Sequence, residues 1–247
     1  MPFVDAPSLR SLRTGRGART RVVCFPHAGG AARFFAPWQR RVPHGVELLA
    51  VQYPGREDRL ADPLVGDAVL LADGLVDEIG SLPIVPTVFF GHSMGAVVAY
   101  ETARRLRPGN GRPALLAVSA LPAPHIQRAG GIHLCDDEGL VAELAKVGGS
   151  AAALADQDLR DHILPIVRND YRLLETYRHA HDHPCDLPIV VYSADQDTEA
   201  TTEELAGWRE VTSAECVFRR FSGDHFYLLP HASEILADLL ERAEALR

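Results

Sequence analysis

Short apolar runs alternate with longer amphipathic stretches from residue 21 onward. The runs at 21–25 (RVVCF), 46–53 (VELLAVQY), 87–90 (TVFF), 114–120 (ALLAVSA), 188–194 (PIVVYSA) and 215–221 (ECVFRRF) predict strands. Most are almost continuously apolar, as strands are when both faces of a parallel sheet are covered. Helical spacing falls between them, around 31–41, 67–80, 96–106, 199–209 and 231–246. This β/α alternation predicts an open, mostly parallel sheet with helices on both faces.

The rhythm breaks between residues 122 and 187, where no strand pattern occurs. Residues 136–147 (DDEGLVAELAKV) read as one helix. From 156 to 179, Leu159, Ile163, Val167, Tyr171, Leu174 and Tyr177 recur at helical spacing, with Pro165 as an expected kink. Such a helical insertion between two strands fits a lid over the sheet; the plainer alternative is a small helical subdomain packed for stability. The expected division is a core of 21–121 and 188–247, a lid of 122–187, and a flexible arm of 1–20. That arm carries Arg10, Arg13, Arg16 and Arg19 against Asp5 alone, but lacks the apolar segment of a secretion signal.

Composition narrows the function. A net charge of -8 over 247 residues argues against nucleic acid as the main partner, because phosphate recognition needs a basic face. No apolar run approaches the roughly 18 to 20 residues that cross a bilayer, so no membrane partner is expected. Cys24, Cys135, Cys185 and Cys216 are scattered without a CxxC pair, which reads as reduced thiols in the cytoplasm.

One serine stands out against this background. Phe89–Ala96 reads FFGHSMGA, a Gly-x-Ser-x-Gly turn between an apolar strand and a helix start of small residues. That context describes a nucleophile elbow, which exposes the serine hydroxyl on a strained strand-to-helix turn. A serine needs a base, and the hydrolase order is Ser, then Asp or Glu, then His. His225 follows the strand at 215–221, and Asp195 and Asp197 both follow the strand at 188–194. Alternation alone does not choose between the two aspartates. A tetrahedral intermediate also needs backbone donors: Met94, after the nucleophile, and Ala28, in the loop FPHAGGAARFF after the first core strand. A phosphate cradle is the alternative for that loop, but neither Gly-x-Gly-x-x-Gly nor a Lys-Ser/Thr ending is present. His179, His181, His183 and Cys185 form a His-x-His-x-His-x-Cys string; Pro184 interrupts it and no second ligand cluster exists, so no metal is expected.

Jointly, CFPHAGG (24–30), QYPGRE (52–57), FFGHSMGA (89–96), NDYRLLETY (169–177), the Asp197–Trp208 spacing and GDHFYL (223–228) resemble the type II thioesterases. These are stand-alone α/β-hydrolases that accompany polyketide synthases and nonribosomal peptide synthetases. The resemblance spans about residues 21–246 and implies a triad of Ser93, Asp197 and His225. The family's acid lies in a Gly-x-x-Asp turn, which selects Asp197, although Ala194 replaces the glycine here. It further implies thioester hydrolysis on the phosphopantetheine arm of an acyl- or peptidyl-carrier protein, removing stalled or aberrant acyl units, with no cofactor and as a monomer. A chain-release thioesterase or small-molecule esterase is the alternative; a non-catalytic binding module has no need of all three side chains. Arg33, Arg56 and Arg59 are the candidate contacts for an acidic carrier protein. Within QYPGRE, Pro54-Gly55 reads as a turn that Arg56 pins, with a place beside the substrate as the alternative.

Overall fold

The computed structural model describes residues 7–14, 17–109, 111–127, 130–147, 156–180 and 182–246. Among these, the strands are β1 (Leu9–Arg13), β2 (Thr20–Phe25), β3 (Val46–Val51), β4 (Thr87–His92), β5 (Leu115–Ser119), β6 (Ile189–Ala194) and β7 (Cys216–Phe221). They form a seven-stranded sheet in the order β1-β3-β2-β4-β5-β6-β7. Only the β1–β3 pairing is antiparallel; the others are parallel.

Continuous apolar runs were expected to be covered on both faces, and the packing shows why they must be. On β2, Val23 and Phe25 enter one core cluster while Val22 and Cys24 enter the other. Helices α1 (Ala68–Gly80) and α2 (Met94–Arg105) cover the first face; α6 (Ala232–Ala245) and a 3-10 segment, Ala32–Arg40, cover the second. The helical pattern at 31–41 thus resolves as a 3-10 segment, and Pro37 inside it has no N–H to donate. The pattern at 199–209 divides into α5 (Thr202–Ala206) and a 3-10 turn, Gly207–Val211.

Two features depart from the expected arm and insertion. Leu9–Arg13, expected within a flexible arm, is an edge strand whose Leu9 is buried against β3. The insertion carries α3 (Asp137–Lys146) and α4 (Gln157–Thr176), with Pro165 inside α4. Leu140, Leu164 and Val167 form its small core, but Leu173 and Tyr177 belong to the main one. The C-terminal end of α4 is therefore continuous with the body of the protein.

Candidate active site

Ser93 sits between the end of β4 and the first residue of α2, at φ 51° and ψ -124°. A left-handed conformation is unfavourable for a side-chain-bearing residue and costs on the order of 1–3 kcal/mol, so the surroundings must enforce it. The Ser93 N–H donates to the Ser119 carbonyl at 2.8 Å, and the Ala96 N–H to the Ser93 carbonyl at 2.8 Å. A Cβ at Gly95 would overlap the Phe25 carbonyl, and one at Gly91 would overlap the Gly95 backbone. The two glycines let α2 start hard against the strand ends, and that closeness holds Ser93 in its turn.

The loops after β6 and β7 bring an acid to an imidazole. His225 Nδ1 lies 3.1 Å from both Asp197 carboxylate oxygens, and both side chains are buried. Asp197 Oδ1 also accepts the Glu199 N–H at 2.9 Å, which orients the carboxylate. Asp195 is exposed and does different work: its Oδ1 accepts the Gly223 N–H at 2.9 Å, tying the two loops together. Ser93 and His225 line the same cavity, and no hydrogen bond joins their side chains among the described residues. Serine–imidazole contacts are often loose without substrate and tighten on binding.

Ala28 lies on the same cavity wall. The neighbouring Gly29 N–H is taken by Asp170 Oδ2 at 2.7 Å and the Gly30 N–H by the His27 carbonyl at 2.9 Å. Of those three successive amides, Ala28 is the one that remains for a ligand. Met94 is the first residue of α2, where a helix leaves amides without internal acceptors.

The cavity holds about 500 Å³. Its far wall comes from the insertion, through Leu144 of α3 and Ile163, Val167, Tyr171 and Leu174 of α4. Glu143, Glu175 and Glu199 also line it, against Lys146. Lys146 lies 3.4 Å from Glu199 and 3.6 Å from Glu143.

Sequence reasoning passed over two histidines beside this cavity. His92 is fully buried; its Nδ1 is 2.9 Å from Ser119 Oγ, which is 2.7 Å from the Tyr227 hydroxyl. Its ring centroid lies 4.9 Å from that of His225. Burial holds His92 well below its ordinary value, and a cationic His225 would push it further down. His27 packs against Phe34 and Phe226; desolvation foremost, then His225 and Arg56, lowers it to about 3. Both stay neutral near pH 7. Their positions in FPHAGG and GHSMG were visible, but their contacts come from separate strands.

Of the remaining predicted residues, Arg56 is not a surface contact. It is buried and ion-paired with Asp170 of α4. Arg59 is committed to Asp62 and Ser8 at 2.7 and 2.8 Å, whereas Arg33 is 85% exposed. In the His179–Cys185 string, His181 lies outside the described residues, and His179 Nε2 is 3.1 Å from the Tyr100 hydroxyl. Among the described residues no three potential ligands come together in a way that could hold a metal ion. All four cysteines are free, and no described helix is long and apolar enough to cross a membrane.

A mostly parallel sheet, a serine elbow after β4 and an acid–imidazole pair on the loops after β6 and β7 define an α/β-hydrolase. Residues 20–243 match the family model of the thioesterase domain, and the chain belongs to that family. It is 38% identical over 234 residues to a probable cadicidin biosynthesis thioesterase of Streptomyces griseus, covering 94% of this chain and 65% of that protein's length. It is 37% identical over 239 residues to thioesterase PikA5 of Streptomyces venezuelae, covering 94% and 83% of the two chains. The solved structure of BorB, a type II thioesterase from the borrelidin biosynthetic cluster, superposes with a TM-score of 0.88 at 38% identity, over 96% of this chain and 97% of that one.

Proposed function

We propose that this chain hydrolyses acyl thioesters held on the phosphopantetheine arm of carrier proteins, clearing stalled or aberrant acyl units from a polyketide or nonribosomal peptide assembly line. The observation that carries this reading is that Ser93, His225 and Ala28 line one cavity, with Asp197 bonded to His225 Nδ1. Ser93 Oγ attacks the thioester carbonyl carbon while His225 Nε2 takes its proton. The Ala28 and Met94 N–H groups receive the developing oxyanion. The C–S bond breaks, His225 returns the proton to the departing thiolate, and an acyl-serine remains. A water, deprotonated by His225, then attacks the ester; the free acid leaves and the Ser93 hydroxyl is restored. Asp197 holds the imidazole tautomer and stabilises its cation through both proton transfers.

The size and charge of the cavity favour small neutral acyl groups over a finished chain. About 500 Å³ lies in the lower half of the roughly 300–1,000 Å³ usual for small-molecule sites. Three carboxylates against one ammonium on its wall oppose an acyl group that itself carries a carboxylate. The insertion acts as a lid that keeps bulk water from the acyl-serine.

The deciding assay compares kcat/KM for carrier proteins loaded with acetyl, propionyl and long acyl groups. Broad hydrolysis of short chains is expected. A sharp preference for one long chain would instead identify a release enzyme.

A further inference from the structure

The loop that presents Ala28 is held from three sides by buried side chains. The Tyr53 hydroxyl donates to the Pro26 carbonyl at 3.3 Å. Gln52 Oε1 accepts the Ala32 N–H at 2.9 Å, and Gln52 Nε2 donates to the Arg56 carbonyl at 2.9 Å. Between these anchors, Asp170 Oδ2 accepts the Gly29 N–H at 2.7 Å and also pairs with Arg56. Asp170 comes from α4 of the insertion, 141 residues away in sequence from Gly29.

This arrangement is a poor device for stability alone. Burying a carboxylate and a guanidinium costs several kcal/mol per ion before their attraction is counted, and apolar residues of equal volume often do as well. Here Arg56 Nε has no hydrogen-bond partner among the described residues, so the pair is not fully compensated. What the carboxylate supplies, and an apolar side chain cannot, is an acceptor for one chosen backbone amide. That amide belongs to the residue directly after Ala28. Holding Gly29 fixes the peptide plane on the C-terminal side of Ala28, while the His27–Ala28 plane, which carries the Ala28 N–H, is held through its carbonyl by the Gly30 N–H at 2.9 Å. With both planes fixed, the direction of the Ala28 N–H is set.

We infer that Asp170 is a positioning residue for the reaction: it aims the Ala28 N–H at the oxyanion and makes that donor depend on α4 being seated. The insertion then does more than exclude water. A lid lifted far enough to break the Asp170–Gly29 bond would leave Ser93 without its second donor, so thioester cleavage is confined to the closed arrangement. The inference rests on the proposed role of Ala28 and deepens it.

The test uses a fluorophosphonate, which needs no thioester chemistry: Ser93 Oγ bonds to phosphorus, fluoride leaves, and His225 takes the serine proton. Asp170→Ala is expected to lower the maximal phosphonylation rate at least about tenfold with the half-saturating probe concentration unchanged, since oxyanion donors act on the transition state. The fraction of protein finally labelled should stay near that of the parent. Asp170→Asn, which keeps an acceptor oxygen, should recover most of the rate. A loss of labelled fraction at unchanged rate, or an asparagine variant no better than alanine, would overturn the inference. If Asp170→Ala does not fold, hydrogen exchange of the Gly29 amide in the parent protein decides: protection is expected, and exchange at the rate of an open amide would overturn it. Failure of the acyl-carrier assay, by contrast, would remove the substrate reading and leave these outcomes standing.

Discussion

His225 Nδ1 is equidistant from the two carboxylate oxygens of Asp197, at 3.1 Å each, while Asp195 two residues earlier faces the Gly223 amide. Two carboxylates on one loop therefore have separable tasks. Asp197→Asn should lower kcat on the order of 10^4-fold, because the amide no longer holds the imidazole in its working tautomer. Asp195→Asn should stay within roughly threefold, as substitutions away from the chemistry usually do. Steady-state kinetics on a small acyl thioester separates the two; equal losses would reverse the assignment.

The elbow makes a structural demand that can be tested without substrate. Gly95→Ala drives a methyl group into the Phe25 carbonyl at the end of β2. Backbone cannot rotate away as a side chain can, so a destabilisation of about 3 kcal/mol or more is expected. Urea unfolding, with the slope held constant, reads this directly.

Buried His92 ties stability to pH. Its folded value lies well below 6.5, so at acid pH the unfolded chain binds a proton that the folded one does not. The contribution is whole above about pH 6.5 and falls away below it, by up to about 1.4 kcal/mol per pH unit. His27, lowered to about 3, acts in the same direction. His92→Gln should flatten the acid limb of stability against pH by one proton; an unchanged slope would mean that His92 is already charged in the folded protein.

Much of this was legible in the sequence, for a physical reason. Parallel strands buried on both faces must be apolar throughout, so β2 and β4–β6 announced themselves. β1 did not, because a register shift between Ser11 and Arg13 breaks the two-residue alternation that an edge strand otherwise shows. The elbow was readable because its glycines are adjacent in sequence to the serine they serve. The choice between Asp195 and Asp197 was not readable from alternation, only from the Gly-x-x-Asp turn of the resembled family, since it depends on which carboxylate reaches His225 Nδ1 across two loops. Asp170 and Arg56 lie 114 residues apart. Each was visible in its own motif, yet nothing local pairs NDYRLLETY with QYPGRE.

The charge of the cavity wall carries a prediction on specificity. Carrier-bound malonyl should turn over more slowly than acetyl by on the order of tenfold, from one unfavourable charge interaction of about 1–2 kcal/mol. Glu199→Gln removes one of three wall carboxylates while leaving its backbone bond to Asp197 in place. The malonyl-to-acetyl ratio of kcat/KM should rise in that variant, and an unchanged ratio would show that the wall charge plays no part.

The most direct trial of the whole mechanism is a single-turnover reaction with acetyl-carrier protein, quenched in acid and read by peptide mass. An acetyl group should appear on the peptide bearing Ser93 and be lost at the rate of free acid release, with neither signal in Ser93→Ala. Undiminished hydrolysis by Ser93→Ala, or an acetyl group formed on a different residue, would contradict it.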